Sequence, residues 1–310
     1  MSPIKPIKVS DYLSPRYWPT WLSLALMRLV STLPLPLLVL AGKGLGKLLY
    51  IFFPGRKKIA EINLRIAFPD ASDKEIKHLL KTSIENIGVA AFEMGLTWWQ
   101  QDKIFSICKV EGLDHLKAAQ QSGQGIIILS AHFTCVEVGG PIINYHAPIY
   151  VMYKRAKNPL FDAFTKYHRN KLYQSIVNHR KPINMIRGLK KGYAAWYLPD
   201  QDVSNKDSIF IPFFGIPATA LTTTARIAKS TDAKVVPYSI KRNPDNRGYT
   251  LTFFPALDNF PSGDNLQDTL RINQVLEKLI LQNPEQYLWA HKRYKNRPEG
   301  SAPIYPTNKS

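Results

Sequence analysis

Acidic side chains are scarce in this chain. Asp and Glu number 23 against 41 Lys and Arg, a formal charge of +18 over 310 residues. That balance excludes a cation-steering surface. It draws the protein toward anions: nucleic acid, anionic lipid headgroups or phosphorylated substrates. Cysteine is scarcer still. With only Cys108 and Cys135, neither a disulfide framework nor a C-x-x-C metal pair can form. A reducing compartment fits this usage. There is no H-E-x-x-H, P-loop or G-x-S-x-G. Nor is there a helix-turn-helix, zinc-finger or RNP signature, so nothing beyond charge points to nucleic acid. Internal repeats and low-complexity segments are lacking too. Long uncharged apolar runs are also missing. Between Arg28 and Lys43 only fourteen residues are uncharged, short of the ~20 that a spanning helix needs.

What is present is apolar residue in quantity. The hydrophobic fraction of 45% is ample for a core, and the length suits one or two domains. Residues 1–16 read as an extended lead-in. From Tyr17 to Phe53 the chain is strongly apolar. If Arg28 snorkels, a span from about Trp18 to Ala41 becomes possible, with Pro34 and Pro36 kinking or breaking it. Trp18 and Trp21 at one end, and Arg56-Lys57-Lys58 past the other, suit a membrane interface with a basic cytoplasmic flank. The alternative is a buried helical hairpin. A secretory signal peptide is a poor fit, since no small-residue cleavage site stands out. We place the boundaries at 1–56 for the lead-in and membrane-anchoring segment, 57–300 for a catalytic domain and 301–310 for an irregular tail.

Pro69 ends a short helix. Ser72-Asp73-Lys74-Glu75 is a capping box that opens a long one, to about Trp98. Trp98-Trp99 reads as core or as a lipid contact. From Ile104 the pattern alternates. Strand-like runs at 125–130, 148–153, 193–198, 234–240 and 249–254 are separated by helical patterns at 158–177, 183–191 and 218–230. A closing helix follows at 264–282. The fold class is α/β, with a mixed, largely parallel sheet flanked by helices and an N-terminal apolar, membrane-associating helical segment.

One stretch carries the chemistry. Ile126 to Leu129 form an unalternating apolar strand, covered on both faces. His132 follows in a turn, Thr134 can cap a helix, and Glu137 stands five residues after the His. On one continuous helix two residues five apart sit ~140° apart and would not meet. They meet if His132 lies before the helix and Glu137 in its first turns. A carboxylate there can hold one imidazole nitrogen and leave the other as a base. A base aimed at a hydroxyl is the logic of acyl transfer without a protein nucleophile. Cys135 as nucleophile would need His132 as its base; a small buried residue is the simpler reading.

Other positions bear on the site. Arg169, on a helix with an apolar face, could be solvated or could reach an anionic group or a developing oxyanion. Asp200, like His132, stands just beyond an apolar run, where open α/β sheets collect functional groups. Asp200 and Asp202 lack a third ligand, so no metal is expected. Phe213 and Phe214, in the Pro-flanked loop 211–217, could line an acyl-chain groove or simply pack. Pro284 to Lys295 is aromatic and basic together, fit for an anionic membrane surface or nucleic acid.

Together these residues resemble the bacterial lipid A biosynthesis late acyltransferases, a lauroyl/myristoyl transferase family in the lysophospholipid acyltransferase-like superfamily. The likeness covers nearly the whole chain. It runs through Asn63…Phe68-Pro69, His132-Phe133-Thr134…Glu137, Arg169, Pro199-Asp200, Pro212-Phe213-Phe214-Gly215 and Pro284-Glu285-Gln286-Tyr287-Leu288-Trp289…His291-Lys292-Arg293-Tyr294-Lys295. Glu137, where glycerolipid enzymes usually carry Asp, points to this branch. The resemblance implies transfer of a fatty acyl group from acyl carrier protein to a hydroxyl of an acyl chain on a Kdo-bearing lipid A precursor. It implies no cofactor beyond the carrier's thioester, and work at the cytoplasmic face of the inner membrane among anionic lipids. It makes His132 the general base, oriented by Glu137, with Arg169 and Asp200 in support. A phosphorylated acceptor and an acidic carrier account for the charge without nucleic acid. Gly139-Gly140-Pro141 is expected to shorten or kink the helix that carries Glu137.

Overall fold

The computed structural model describes residues 6–179, 181–203 and 208–306. The first five residues of the lead-in and the last four of the tail lie outside them. Five helices come first: α1 (Trp18–Ser31), α2 (Leu35–Phe52), α3 (Pro54–Ala67), α4 (Asp73–Trp99) and α5 (Gln101–Ile107). Strands and helices then alternate: β1 (Cys108–Glu111), α6 (Leu113–Gln121), β2 (Ile126–Leu129), α7 (Val136–His146), β3 (Ile149–Tyr153), α8 (Pro159–Leu172), β4 (Ser175–Asn178), α9 (Ile183–Leu189) and β5 (Ala194–Tyr197). Last come β6 (Ser208–Phe213), β7 (Ile216–Leu221), α10 (Thr223–Thr231), β8 (Lys234–Arg242), β9 (Tyr249–Phe253) and α11 (Asn265–Gln282).

Seven strands form one sheet in the order β1-β9-β8-β2-β5-β3-β4. Every pairing in it is parallel except β8 with β9. All four residues of β2 and all four of β5 are buried, as befits central strands covered on both faces. The expected strands form; β1 and β4 are additions at the two sheet edges.

Helix α4 is the strut between this sheet and the N-terminal helices. Its capping box forms: Glu75 N donates to Ser72 Oγ at 3.4 Å, and Ser72 N to Glu75 Oε2 at 2.8 Å. Helices α1 and α2 pack on it separately, broken at Thr32–Pro34, so no single helix runs from Trp18 to Ala41. Pro34, with ψ 143, cannot continue α1. The packing of α2 on α4 is backbone against backbone. A Cβ on Gly88 would lie 2.3 Å from the Gly42 carbonyl oxygen, and one on Gly46 would lie 2.4 Å from Glu85 Cα. Gly88→Val is therefore expected to destabilise the fold by about 3 kcal/mol or more and so to lower the melting temperature steeply, because helices rather than side-chain tips must separate. A thermal melt checks this.

The outward faces of α1 and α2 stay apolar: Leu22, Leu26, Leu29, Leu40, Ile51 and Phe52 are exposed. Among the described residues, α2 alone is long and apolar enough to cross a membrane, with mean hydropathy 1.6.

Three expectations are corrected. The segment 211–217 is not a loop but the tip of the β6–β7 hairpin. Phe214 and Gly215 form its two-residue turn, both at positive φ (48° and 75°). Pro212 and Pro217 face each other one step from the closing pair. Their missing N–H groups there would point away from the partner strand, so no ladder bond is lost. The hairpin also takes residues 218–221 from the expected helix, and α10 begins at Thr223. Helix α7 runs unbroken through Pro141 to His146.

Candidate active site

The register of the sheet builds the site. Leu129 of β2 is paired with Tyr197 of β5. His132 and Asp200 lie the same three residues beyond that pair, on adjacent parallel strands. They emerge side by side at the carboxyl ends. His132 Nδ1 is 2.6 Å from Asp200 Oδ1, and the His132 backbone N–H donates to Oδ2 at 3.0 Å. The Tyr287 hydroxyl donates to the same Oδ2 at 3.0 Å. Asp200 is 1% exposed and the His132 side chain 30%.

These contacts decide protonation. Burial disfavours the Asp200 carboxylate, but His132 and the bonds it donates outweigh burial and hold its pKa below the ordinary value. An ionised carboxylate accepts only, so Nδ1 carries the proton and Nε2 is the basic nitrogen. Burial likewise opposes the imidazolium. The charge of Asp200, with a smaller push from Glu137, overcomes it, so His132 has a raised pKa.

The expected contact between Glu137 and the His132 ring is absent among the described residues; the carboxylate bonded to that ring is Asp200. Glu137 sits in the first turn of α7 and pairs with Arg169, whose Nη2 donates to Glu137 Oε1. Glu137 reaches His132 through its field alone. Burial acts against the Arg169 charge, and Glu137 outweighs it, holding the guanidinium pKa above its usual value. Arg169 Nε is buried without a hydrogen-bond partner. Among the described residues no hydrogen bond or ion pair joins Asp200 to Arg169.

His132, Glu137 and Arg169 line one cavity of about 750 Å³ at the carboxyl ends of β3 and β5. The rest of its wall is largely apolar, with Val151, Met152, Met185, Trp196, Leu198 and Ile227. A base, a spare cationic donor and an apolar chamber of ligand size thus meet in one place.

Other candidates fall elsewhere. Phe213 does not line this cavity. It is 1% exposed, packed on Phe214 and Tyr294, with the Arg293 guanidinium 4.6 Å from its ring centroid. Phe214 packs on Trp289. Both serve the hairpin's packing. Cys135 is fully buried, and burial pushes its thiol pKa far up, which removes it as a nucleophile. Asp202 is engaged by Thr219 Oγ1 at 2.7 Å and Asn296 Nδ2 at 2.6 Å. Trp98 is core and stacks on His168 at 5.0 Å.

The aromatic and basic run 284–295 is largely interior. Tyr287, Trp289, Arg293 and Tyr294 are buried. The run splints the His132 turn: Thr134 N donates to the Gln286 carbonyl at 2.7 Å, and Leu288 N to the His132 carbonyl at 3.1 Å. Asn63 Nδ2 holds the Trp289 and His291 carbonyls at 2.6 and 2.8 Å. Tyr287 is the site residue that sequence reasoning missed, for no periodicity or spacing marks its hydroxyl.

A family model described as bacterial lipid A biosynthesis acyltransferase matches residues 6–296. The lipid A biosynthesis lauroyltransferase of Escherichia coli is 36% identical over 290 residues, 93% of this chain and 95% of that one. The palmitoleoyltransferase of the same organism is 33% identical, over 95% and 97%. Its myristoyltransferase is 26% identical, over 94% and 91%. Among solved structures, the 1-acyl-sn-glycerophosphate acyltransferase of Thermotoga maritima aligns with a TM-score of 0.36 at 16% identity, covering 79% of this chain and 94% of that one.

Proposed function

The chain belongs to the bacterial lipid A biosynthesis acyltransferases, and from that premise we propose that it moves a fatty acyl group from the thioester of acyl carrier protein to a hydroxyl of an acyl chain on a Kdo-bearing lipid A precursor. That it is an acyltransferase of lipid A biosynthesis follows from the family. The donor, the Kdo-bearing acceptor and the chemistry are our reading.

The observation that carries it is the 2.6 Å contact of His132 Nδ1 with buried Asp200, beside the apolar cavity. With Nδ1–H held, Nε2 takes the proton of the acceptor hydroxyl as its oxygen attacks the thioester carbon. The carbonyl oxygen gains the negative charge, and the Arg169 guanidinium, at the cavity wall, supports it. When the intermediate collapses, the C–S bond breaks and the imidazolium returns its proton to the leaving thiolate. Products are the new ester and the carrier's free thiol. No cofactor enters, and no metal is needed. Arg169→Gln is expected to lower kcat by about 10²–10³-fold, as for a lost oxyanion donor. Glu137→Gln acts through Arg169, so the two losses do not add. Steady-state kinetics of the two single variants and the double variant test both statements.

Surface and charge support the setting. Acyl carrier proteins are acidic, and an excess of +18 supplies a complementary field. The exposed apolar faces of α1 and α2 support a membrane setting, which in our reading is the cytoplasmic face of the inner membrane, among anionic lipids. The test is mass spectrometry of a Kdo-bearing tetra-acyl lipid A precursor incubated with acyl carrier protein thioesters of several lengths. One added acyl chain per acceptor is expected. No transfer at any length overturns this reading in favour of a different acceptor.

A further inference from the structure

A second cavity lies outside the site described above. It is an open groove of about 350 Å³ between α2, α3 and α4, walled by Leu49, Phe53, Ile84 and Ile87. Leu288 and His291 also line it. Leu288 is the residue whose N–H holds the His132 carbonyl. One hydrogen bond thus links the groove's lining to the His132 turn.

At Lys57 the groove meets a broader recess of about 560 Å³ between the same three helices. Lys47, Lys77 and Lys81 stand in that recess with Lys57, against Glu61 and Glu85. Glu61 pairs with Arg65 at 3.2 Å, and four lysines against two carboxylates leave the recess net cationic. Arg56, at the groove wall, gives one guanidinium nitrogen to the Ala290 carbonyl at 3.1 Å, which leaves other donors. An apolar slot joined to a lysine-rich recess fits one chemistry: an acyl chain attached to a phosphate-bearing head.

We infer that this groove and recess bind the phosphorylated acceptor lipid, an acyl chain in the slot and a phosphate among Lys47, Lys57, Lys77 and Lys81, while the larger cavity keeps the donor chain. The inference rests on the proposed reaction for the identity of the acceptor. The bond of Leu288, a residue of the groove's lining, to the His132 turn assigns the site to the reaction's acceptor rather than to bulk phospholipid.

The experiment is equilibrium binding of a radiolabelled bis-phosphorylated tetra-acyl disaccharide to the full chain in detergent, alongside steady-state kinetics. Two variants are compared with wild type: Ile87→Trp, which fills the slot, and Lys47→Gln/Lys77→Gln/Lys81→Gln, which changes exposed residues only. Each is expected to weaken acceptor binding and raise acceptor KM about tenfold, near 1.4 kcal/mol, with donor KM unchanged. The charge variant should lose this effect on an acceptor stripped of phosphate. Unchanged acceptor binding in the charge variant overturns the inference, as does a rise in donor KM instead. Equal binding of phosphatidylglycerol overturns it in favour of a bulk-lipid site. Variant-sensitive binding with no transfer by wild type would instead overturn the proposed reaction and leave the site standing.

Discussion

Replacing His132 by alanine is expected to lower kcat by about 10²–10⁴-fold, the range for a lost general base, with no loss of fold. The ring lies at a cavity wall and is partly exposed. What the fold uses at this position is backbone: the N–H held by Asp200 and the carbonyl held by Leu288. Alanine keeps both. Acceptor and donor KM should change little, because the proton is moved only as the bond forms. The check is kcat against residual thermal stability. A variant that melts like wild type but transfers acyl groups at the wild-type rate removes the base from the mechanism.

Asp200→Asn is expected to cost nearly as much, about 10²–10⁴-fold in kcat, through a different route. The carboxylate now accepts from three donors: the His132 N–H, Nδ1–H and the Tyr287 hydroxyl. Asparagine has one oxygen and an NH₂ group, so one of these donors meets another donor. If the NH₂ faces the ring, Nδ1 must accept and Nε2 carries the proton, which is the wrong tautomer for a base. The pH profile supplies an independent sign. Activity requires neutral His132, so the rate rises with pH through its pKa. Asp200 raises that pKa against burial. Without the charge the acidic limb moves to lower pH, while the plateau falls. Tyr287→Phe keeps the charge, so it should produce a smaller loss and leave the limb nearly in place. A limb that stays fixed in Asp200→Asn contradicts the pairing.

Much of this was legible in the chain. The β2 run, the turn at His132, the capping box at Ser72 and the strand before Asp200 are local patterns. His132 and Asp200 were each recognisable as residues beyond a strand end. Their partnership was not, because it depends on β2 lying next to β5, and strand adjacency leaves no mark in either segment. Glu137 was favoured over Asp200 because it is near in sequence. Helix α7 instead turns that carboxylate toward α8, where Arg169 waits. The β6–β7 hairpin was hidden by prolines that normally end strands; here they oppose each other where no ladder bond is due. Helix α7 survives Pro141, with glycines before it that let neighbours close in: a Cβ on Gly140 would meet the Tyr173 hydroxyl at 2.1 Å. The run at 284–295 looked like a surface because its composition is basic. Burial of Arg293 over Phe213 made it interior.

The most direct test of the dyad is a double-mutant cycle on kcat for acyl transfer, using wild type, His132→Ala, Asp200→Asn and the double variant. If Asp200 acts through His132, the double variant should be no slower than His132→Ala within about twofold, because residues that act as a unit are not additive. Losses that multiply, with the double variant slower than His132→Ala by the full factor of Asp200→Asn, would contradict the account and leave the two residues working apart.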